Sequence, residues 1–304
     1  MGSRVVVTGV NGFVGRHLVA ELLVQGYDVV GIGHETEPHA DGLDDYVAQD
    51  LTRAWPAGID GDAVVHLAGL SAVGPSFEQP QRYLEQNSAM VTNLGESLLR
   101  DQSAARVLVV SSGAVYDPHQ DLPLTEQSRT GHGSPYVISK LLVEHQAAYY
   151  ASRGLDVVVA RPFNHIGPGQ GPGFLLPDLY DAVRRVAEEG GPLRVGDLDT
   201  RRDYTDVRDV VRAYRLLLEA STLEHRLFNV CSGRSWSGRG LLAELLSDLG
   251  REDIDVETDQ ARLRPDDPRE VVGSADRLRD AVGWRPQIDV SRSVRDFAAE
   301  RFRP

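Results

Sequence analysis

Short apolar runs recur along the chain, each followed by a stretch whose apolar residues repeat at helical spacing. The first is Val5-Val6-Val7. It leads into Thr8-Gly9-Val10-Asn11-Gly12-Phe13-Val14-Gly15, after which Val14, Leu18 and Leu22, with Val19 and Leu23 alongside, mark one face of a helix. Gly26-Tyr27 closes that helix, and Val29-Val30-Gly31-Ile32 reads as a second buried strand. Residues 4 to 33 therefore predict strand, glycine-rich turn, helix and strand, a unit long enough for a right-handed parallel crossover. Further runs stand at Ala63-Val64-Val65-His66-Leu67, Val107-Leu108-Val109-Val110 and Val157-Val158-Val159-Ala160. The segments between them can hold helices, most clearly Leu84 to Leu99 and Tyr136 to Tyr150. Strands alternating with helices predict an α/β fold built on a doubly wound parallel sheet.

After Arg161 the pattern loosens: residues 166 to 177 hold four Gly and three Pro, and later strands are short and polar. The expected division is a dinucleotide-binding domain over residues 1 to 165 and a smaller mixed substrate-binding domain over 166 to 200 and 233 to 304. The segment from about 203 to 232 is expected to return to the first domain. A length of 304 residues fits two domains of roughly 150 each.

Composition narrows the partners. Asp and Glu number 45 against 32 Lys and Arg, a formal charge of -13. That surplus repels phosphate backbones, and no basic block with interleaved aromatics offsets it, so no nucleic-acid partner is expected. The single cysteine, Cys231, cannot form an intrachain disulfide, and no Cys/His spacing suggests a metal site. The start of the chain lacks an apolar leader, and no apolar run approaches the roughly 20 residues of a membrane span. A soluble, cytoplasmic enzyme of small molecules is the expectation.

Gly9, Gly12 and Gly15 sit between strand and helix, where the turn needs positive φ or close backbone approach. The helix N-terminus then offers free N–H groups to a pyrophosphate. The candidate cofactor contacts here are Gly9, Asn11, Gly12, Phe13, Val14 and Gly15. In such a site an acidic residue ending the second strand would bind the adenosine ribose and exclude a 2′-phosphate. The strand ends instead Ile32-Gly33-His34-Glu35. With glycine at 33 and His34 at the tip, the cofactor is read as NADP(H) or NAD(H), leaning to NADP(H), with Glu35 close enough to swing in. Asp50 and Leu51 fall where adenine would lie, although an Asp at a loop start also serves as a turn residue. Arg53 is either an assistant there or a solvated side chain.

Tyr136 and Lys140 lie at i, i+4, so they share a helix face. A free tyrosine titrates at about 10, and a nearby ammonium stabilises the phenolate, which makes Tyr136 a candidate proton donor to a sugar oxygen. Ser111-Ser112-Gly113-Ala114-Val115-Tyr116 puts hydroxyls at the carboxyl end of a parallel strand, where open α/β sheets bind ligands. Ser112 either holds the reacting oxygen or caps the next turn.

Together with His66-Leu67-Ala68-Gly69, Pro135-Tyr136-x-x-x-Lys140, Arg161-Pro162-Phe163-Asn164 and Arg202-Asp203-Tyr204-Thr205-Asp206-Val207-Arg208-Asp209-Val210, these segments resemble the extended short-chain dehydrogenase/reductase family. That family comprises nucleotide-sugar epimerases, dehydratases and reductases. The resemblance implies that Lys140 also bonds the nicotinamide ribose, that Leu67, Ala68 and Gly69 line the cofactor, and that Asn164 and Arg202 face the sugar nucleotide. It also implies a homodimer through the helices at 84 to 99 and 136 to 150. The family's dehydratases carry a carboxylate just after the catalytic hydroxyl, and Gly113 and Ala114 have none, so dehydration is disfavoured. An NAD-dependent 4-epimerase needs only Ser112, Tyr136 and Lys140 and stays open. A redox sensor without chemistry would have lost one of these three groups.

Residues 161 to 170, Leu263-Arg264-Pro265-Asp266-Asp267 and Gly283-Trp284-Arg285-Pro286 are most similar to the family's reductases that convert GDP-4-keto-6-deoxy-D-mannose to GDP-D-rhamnose. The expected reaction is reduction of the C4 ketone of a nucleotide-diphosphate 4-keto-6-deoxy sugar. Arg201, Arg202, Arg208 and Arg264 are candidates for its phosphates, Arg202 and Arg264 foremost. Ser71 and Ser76 could reach its hydroxyls, and His165 is either part of the site or a loop histidine bonded to backbone.

Overall fold

The computed structural model describes residues 3–262 and 267–301. The chain begins β1 (Arg4–Thr8), α1 (Phe13–Val24), β2 (Asp28–Gly33), β3 (Asp45–Ala48), β4 (Ala63–His66), α2 (Val73–Glu78) and α3 (Pro80–Arg100). It continues β5 (Arg106–Val110), α4 (Pro135–Ser152), β6 (Asp156–Pro162), β7 (Asn164–Ile166), α5 (Leu175–Glu189), β8 (Leu193–Val195), β9 (Arg201–Asp206) and α6 (Val207–Glu219). It ends β10 (Leu227–Val230), β11 (Ser235–Ser237), α7 (Gly238–Asp248), β12 (Val256–Thr258), β13 (Glu270–Val271), α8 (Asp276–Val282) and α9 (Val290–Arg301).

Seven strands form one sheet in the order β10-β6-β5-β4-β1-β2-β3, every neighbouring pair parallel. Both faces are covered, which is why its strands read as runs of valine rather than as alternating patterns. Leu18 and Leu22 of α1, Val210, Tyr214 and Leu217 of α6, and Leu278 and Trp284 near α8 fill one face. Met90, Leu94 and Leu98 of α3 with Val143, Ala147 and Tyr150 of α4 fill the other. Burying each leucine contributes about 2 kcal/mol. The strand order reverses between β1 and β4, so the loops after these two strands diverge and open a crevice at the carboxyl edge.

β9, at the start of the segment expected to return to the first domain, lies outside that sheet and centres a second one, parallel to β7 and β13 and antiparallel to β11. α6 and β10 do return. α5, α7 and α9 build a separate core around Leu176, Tyr180, Leu241, Leu245, Val294 and Phe297. Two buried carboxylates hold the parts together. Asp203 accepts from Ser232 N (2.8 Å), Ser232 Oγ (2.6 Å), Gly233 N (2.9 Å) and Gly273 N (3.2 Å). Four donors offset much of the cost of burying it. Asp209 accepts from Gln287 N and Ile288 N, both at 2.8 Å, and its carbonyl takes the Trp284 indole N–H. Among the described residues, no helix is long and apolar enough to cross a membrane.

Candidate active site

The glycine turn caps the crevice. Gly9 has φ +67°, and its amide donates to Ile32 O at 2.9 Å. A Cβ on Gly9 would stand 2.9 Å from Ala68 N, and one on Gly15 would stand 2.6 Å from Val10 O and against Gly9 O. Gly12 is the N-cap of α1 and brings no side-chain cap, so the helix N-terminus keeps free N–H groups for an anion. This turn fits the pyrophosphate of a dinucleotide. Across the crevice, Ala68 N donates to Thr8 Oγ1 (3.1 Å), and the same hydroxyl shares a hydrogen bond with His66 Nδ1 (3.0 Å). Burial pushes His66 down to about 3, so the ring is neutral. This bridge fastens Leu67, Ala68 and Gly69 to the end of β1, and no local sequence pattern announces it.

At the end of β2, Gly33 is required by packing: a Cβ there would lie 2.5 Å from Tyr46 Oη. Glu35 does swing in. Its Oε2 accepts from Asn11 Nδ2 at 2.9 Å and lies 3.2 Å from where a Gly33 Cβ would stand. His34 stays exposed, with Nδ1 3.4 Å from Glu35. Asp50 takes the turn reading, since its Oδ1 accepts from Thr52 N (3.0 Å) and Thr52 Oγ1 (2.6 Å), while Arg53 pairs with it at 3.3 Å. Leu51 is buried in the core beside α3.

Ser134 Oγ caps α4 through Val137 N, and Pro135 starts the first turn, which sets Tyr136 facing the crevice. Tyr136 is 6 % exposed and packs edge-on against Tyr83. The Ser112 hydroxyl faces its phenol and favours the phenolate. Ser112 Oγ also accepts from Ala114 N at 3.1 Å, so this serine both caps the next turn and faces Tyr136. Lys140 is buried beside them, its Nζ donating to Val110 O at 3.0 Å. Burial pushes the Tyr136 phenol up, and the opposing influence is the Ser112 hydroxyl rather than the Lys140 ammonium. The i, i+4 spacing brings the pair to one face, but in a desolvated site the ammonium turns to a carbonyl, and burial lowers it to about 8. Lys140 is also the only lysine in the sequence. A Cβ on Gly113 would lie 2.7 Å from the Phe163 ring, so a carboxylate at that position has no room.

The substrate side is less convergent. Asn164 is exposed on β7, in register with Tyr204 of β9, and Ser71 is exposed in the loop after Gly69. Ser76 does not face the crevice. It is fully buried, and its hydroxyl donates to Val73 O at 2.6 Å because the short helix α2 turns that position inward. Arg202 reaches Asp267 Oδ1 at 2.6 Å and Pro268 O at 2.9 Å. Arg201 bonds Ser235 and pairs with Glu270, and Arg208 pairs with Asp206 and Asp296, so both cations serve the fold. Arg264 lies outside the described residues. His165 Nδ1 meets Phe163 O at 3.0 Å while its ring stacks on Phe13 of the glycine turn at 6.0 Å. Among the described residues, no group of three or more His, Cys, Asp or Glu gathers as a metal site.

The sequence profile of the NAD dependent epimerase/dehydratase family matches residues 5–231. GDP-6-deoxy-D-mannose reductase of Pseudomonas aeruginosa is 36 % identical, covering 99 % of this chain and 97 % of its own. UDP-glucose 4-epimerase of Caenorhabditis elegans is 28 % identical over 97 % and 96 %. The structure of RMD from Pseudomonas aeruginosa complexed with NADPH superposes with a TM-score of 0.83 at 34 % identity, covering 98 % of each chain. The glycine turn at the switch point, the Ser112, Tyr136 and Lys140 cluster and a profile match over most of the length agree: the chain belongs to the NAD dependent epimerase/dehydratase family.

Proposed function

We propose that this protein uses NADPH or NADH to reduce the C4 ketone of a nucleotide-diphosphate 4-keto-6-deoxy sugar, GDP-4-keto-6-deoxy-D-mannose to GDP-D-rhamnose being the favoured pair. The observation that carries this reading is the gathering of Ser112, Tyr136 and Lys140 at the carboxyl end of β5, with no carboxylate at Gly113 or Ala114. Similarity to a GDP-6-deoxy-D-mannose reductase supports it, and NADPH in the similar structure supports the lean to NADP(H).

Gly9, Asn11, Gly12, Phe13, Val14 and Gly15 hold the pyrophosphate in this reading. His34, Asp50 and Leu51 border the adenosine, and Leu67, Ala68 and Gly69 border the other half of the cofactor. When bound, the nicotinamide supplies hydride to C4. Tyr136 Oη gives its proton to the nascent alkoxide, Ser112 Oγ holds that oxygen and favours the phenolate left behind, and Lys140 holds the ribose. Ser71, Asn164, Arg202 and Arg264 receive the sugar nucleotide. Residues 1–165 with 203–232 form the cofactor part, and 166–200 with 233–304 form the substrate part. We place the enzyme in the cytoplasm as a homodimer, and the apolar Ile138, Leu142 and Tyr149 that α4 leaves exposed support the dimer.

The test is a panel of GDP- and dTDP-linked 4-keto-6-deoxy sugars with NADH and NADPH. Loss of nicotinamide absorbance with a C4-reduced product is expected. A 4-epimerase, the reading favoured by the UDP-glucose 4-epimerase relatives, would instead retain NAD through purification and consume none. The pH profile gives a second check. Lys140 works as the cation, and its charge is lost as pH rises through about 8. Above that point kcat/KM should fall by about tenfold per pH unit. A profile flat to about pH 10, the ordinary lysine value, would contradict the role given to Lys140.

A further inference from the structure

We propose that Glu144 is a positioning residue for this reaction, fixing Ser112 and Lys140 relative to each other and setting a negative charge behind the lysine. The inference rests on Ser112, Tyr136 and Lys140 being the reacting set. Glu144 follows Lys140 by one turn of α4 and Tyr136 by two, on the same helix face. Its Oε1 accepts from Ser111 Oγ at 2.5 Å and Arg161 Nε at 2.8 Å, and its Oε2 accepts from Arg161 Nη2 at 2.6 Å. The Arg161 and Glu144 side chains are only 6 % and 13 % exposed.

The geometry joins three elements at the carboxyl edge of the sheet. Ser111 precedes Ser112 directly, and its amide donates to Ala160 O of β6 at 2.8 Å. Holding the Ser111 hydroxyl therefore fixes the peptide that presents Ser112 to Tyr136. The same carboxylate anchors the turn of α4 that carries Lys140. Arg161, from β6, lies 4.7 Å over the Tyr116 ring, and the Tyr116 hydroxyl donates to Asn229 Oδ1 at 2.6 Å, so the guanidinium is itself held in place. Buried ion pairs contribute little net stability because desolvation cancels most of their attraction. What this one supplies is a fixed charge one turn from Lys140 and a fixed hydroxyl on the residue before Ser112.

Lys140 is faced from several elements. β4 contributes neutral His66, β5 contributes the Val110 carbonyl, and Asn87 of α3 lies with Lys140 around Gly69. β6 contributes Arg161 behind Glu144, and α4 itself contributes Tyr136 and Glu144. Among these, Glu144 is the carboxylate that favours the ammonium against the desolvation lowering it.

The sole lysine makes the test direct. Protein produced with 13C-labelled lysine and saturated with NADP+ shows one lysine Cε resonance, which reports Lys140 titration without turnover. In Glu144→Gln the midpoint should fall by about one pH unit or more. The value of kcat should fall by about tenfold with KM little changed, as expected when the donor rather than substrate binding is disturbed. Glu144→Asp, which keeps the charge, should recover most of the shift. If Glu144→Gln does not fold, Glu144→Met/Arg161→Met replaces the pair with apolar groups and is expected to show the same displaced midpoint. An unmoved midpoint with unchanged kcat in a folded variant overturns the proposal. A displaced midpoint in a protein that reduces no 4-keto sugar would instead keep the positioning role and sink the reductase reading.

Discussion

Replacing Tyr136 with phenylalanine is expected to cut turnover on a 4-keto sugar nucleotide by on the order of a hundredfold or more, with the fold and cofactor affinity retained. The ring does structural service: it is 6 % exposed and packs against Tyr83 and Val137, and phenylalanine keeps all of that. Only the hydroxyl is removed. That hydroxyl meets Ser112, and the remaining neighbours are poor substitutes as acids. His66 is neutral and hydrogen-bonded to Thr8, and Lys140 donates to Val110 O, so neither has a proton poised at the same point. The variant should therefore bind NADPH normally by fluorescence titration and melt near the wild-type temperature while its kcat/KM collapses. Turnover close to wild type would show that the acid is another group, and Ser112 would be the next to examine.

The valine runs and the spacing of Val14, Leu18 and Leu22 made the parallel sheet and its first crossover legible, because both faces are buried and their signals are local. The second sheet was not. β7, β11 and β13 are two or three residues long, too short for any periodicity to stand out, and they are held by β9 and by Asp203 across long sequence separations. The cluster of Ser112, Tyr136 and Lys140 could be read from spacing and strand ends. The direction of each polar contact could not, because burial decides it. Lys140 turns to Val110 O, Ser76 turns inward, Glu35 folds onto Asn11, and Arg201 and Arg208 are taken by carboxylates. Glu144 had a visible clue in its i, i+4 relation to Lys140, but its partners Ser111 and Arg161 arrive from two different strands. Arginine's readiness to pair with carboxylates also explains the excess of cationic candidates: most of these side chains stabilise the fold before any phosphate arrives.

The other large effect should come from the turn rather than the chemistry. Gly15→Ala is expected to weaken cofactor binding by about tenfold to a hundredfold, the equivalent of roughly 1–3 kcal/mol of overpacking. Its new methyl would lie 2.6 Å from Val10 O and closer still to Gly9 O, and both are backbone atoms that cannot rotate away. Relief requires α1 to move off the turn. That shift displaces the N–H groups that Gly12 leaves uncapped at the helix start and carries Phe13 away from His165. The same substitution at Gly74 meets nothing within 4 Å, so Gly74→Ala serves as a control that should bind the cofactor as the wild type does. Calorimetric titration of NADPH and NADH into the three proteins decides the matter. Gly15→Ala binding as tightly as the control would mean that the turn yields at no cost, and that the pyrophosphate is held elsewhere.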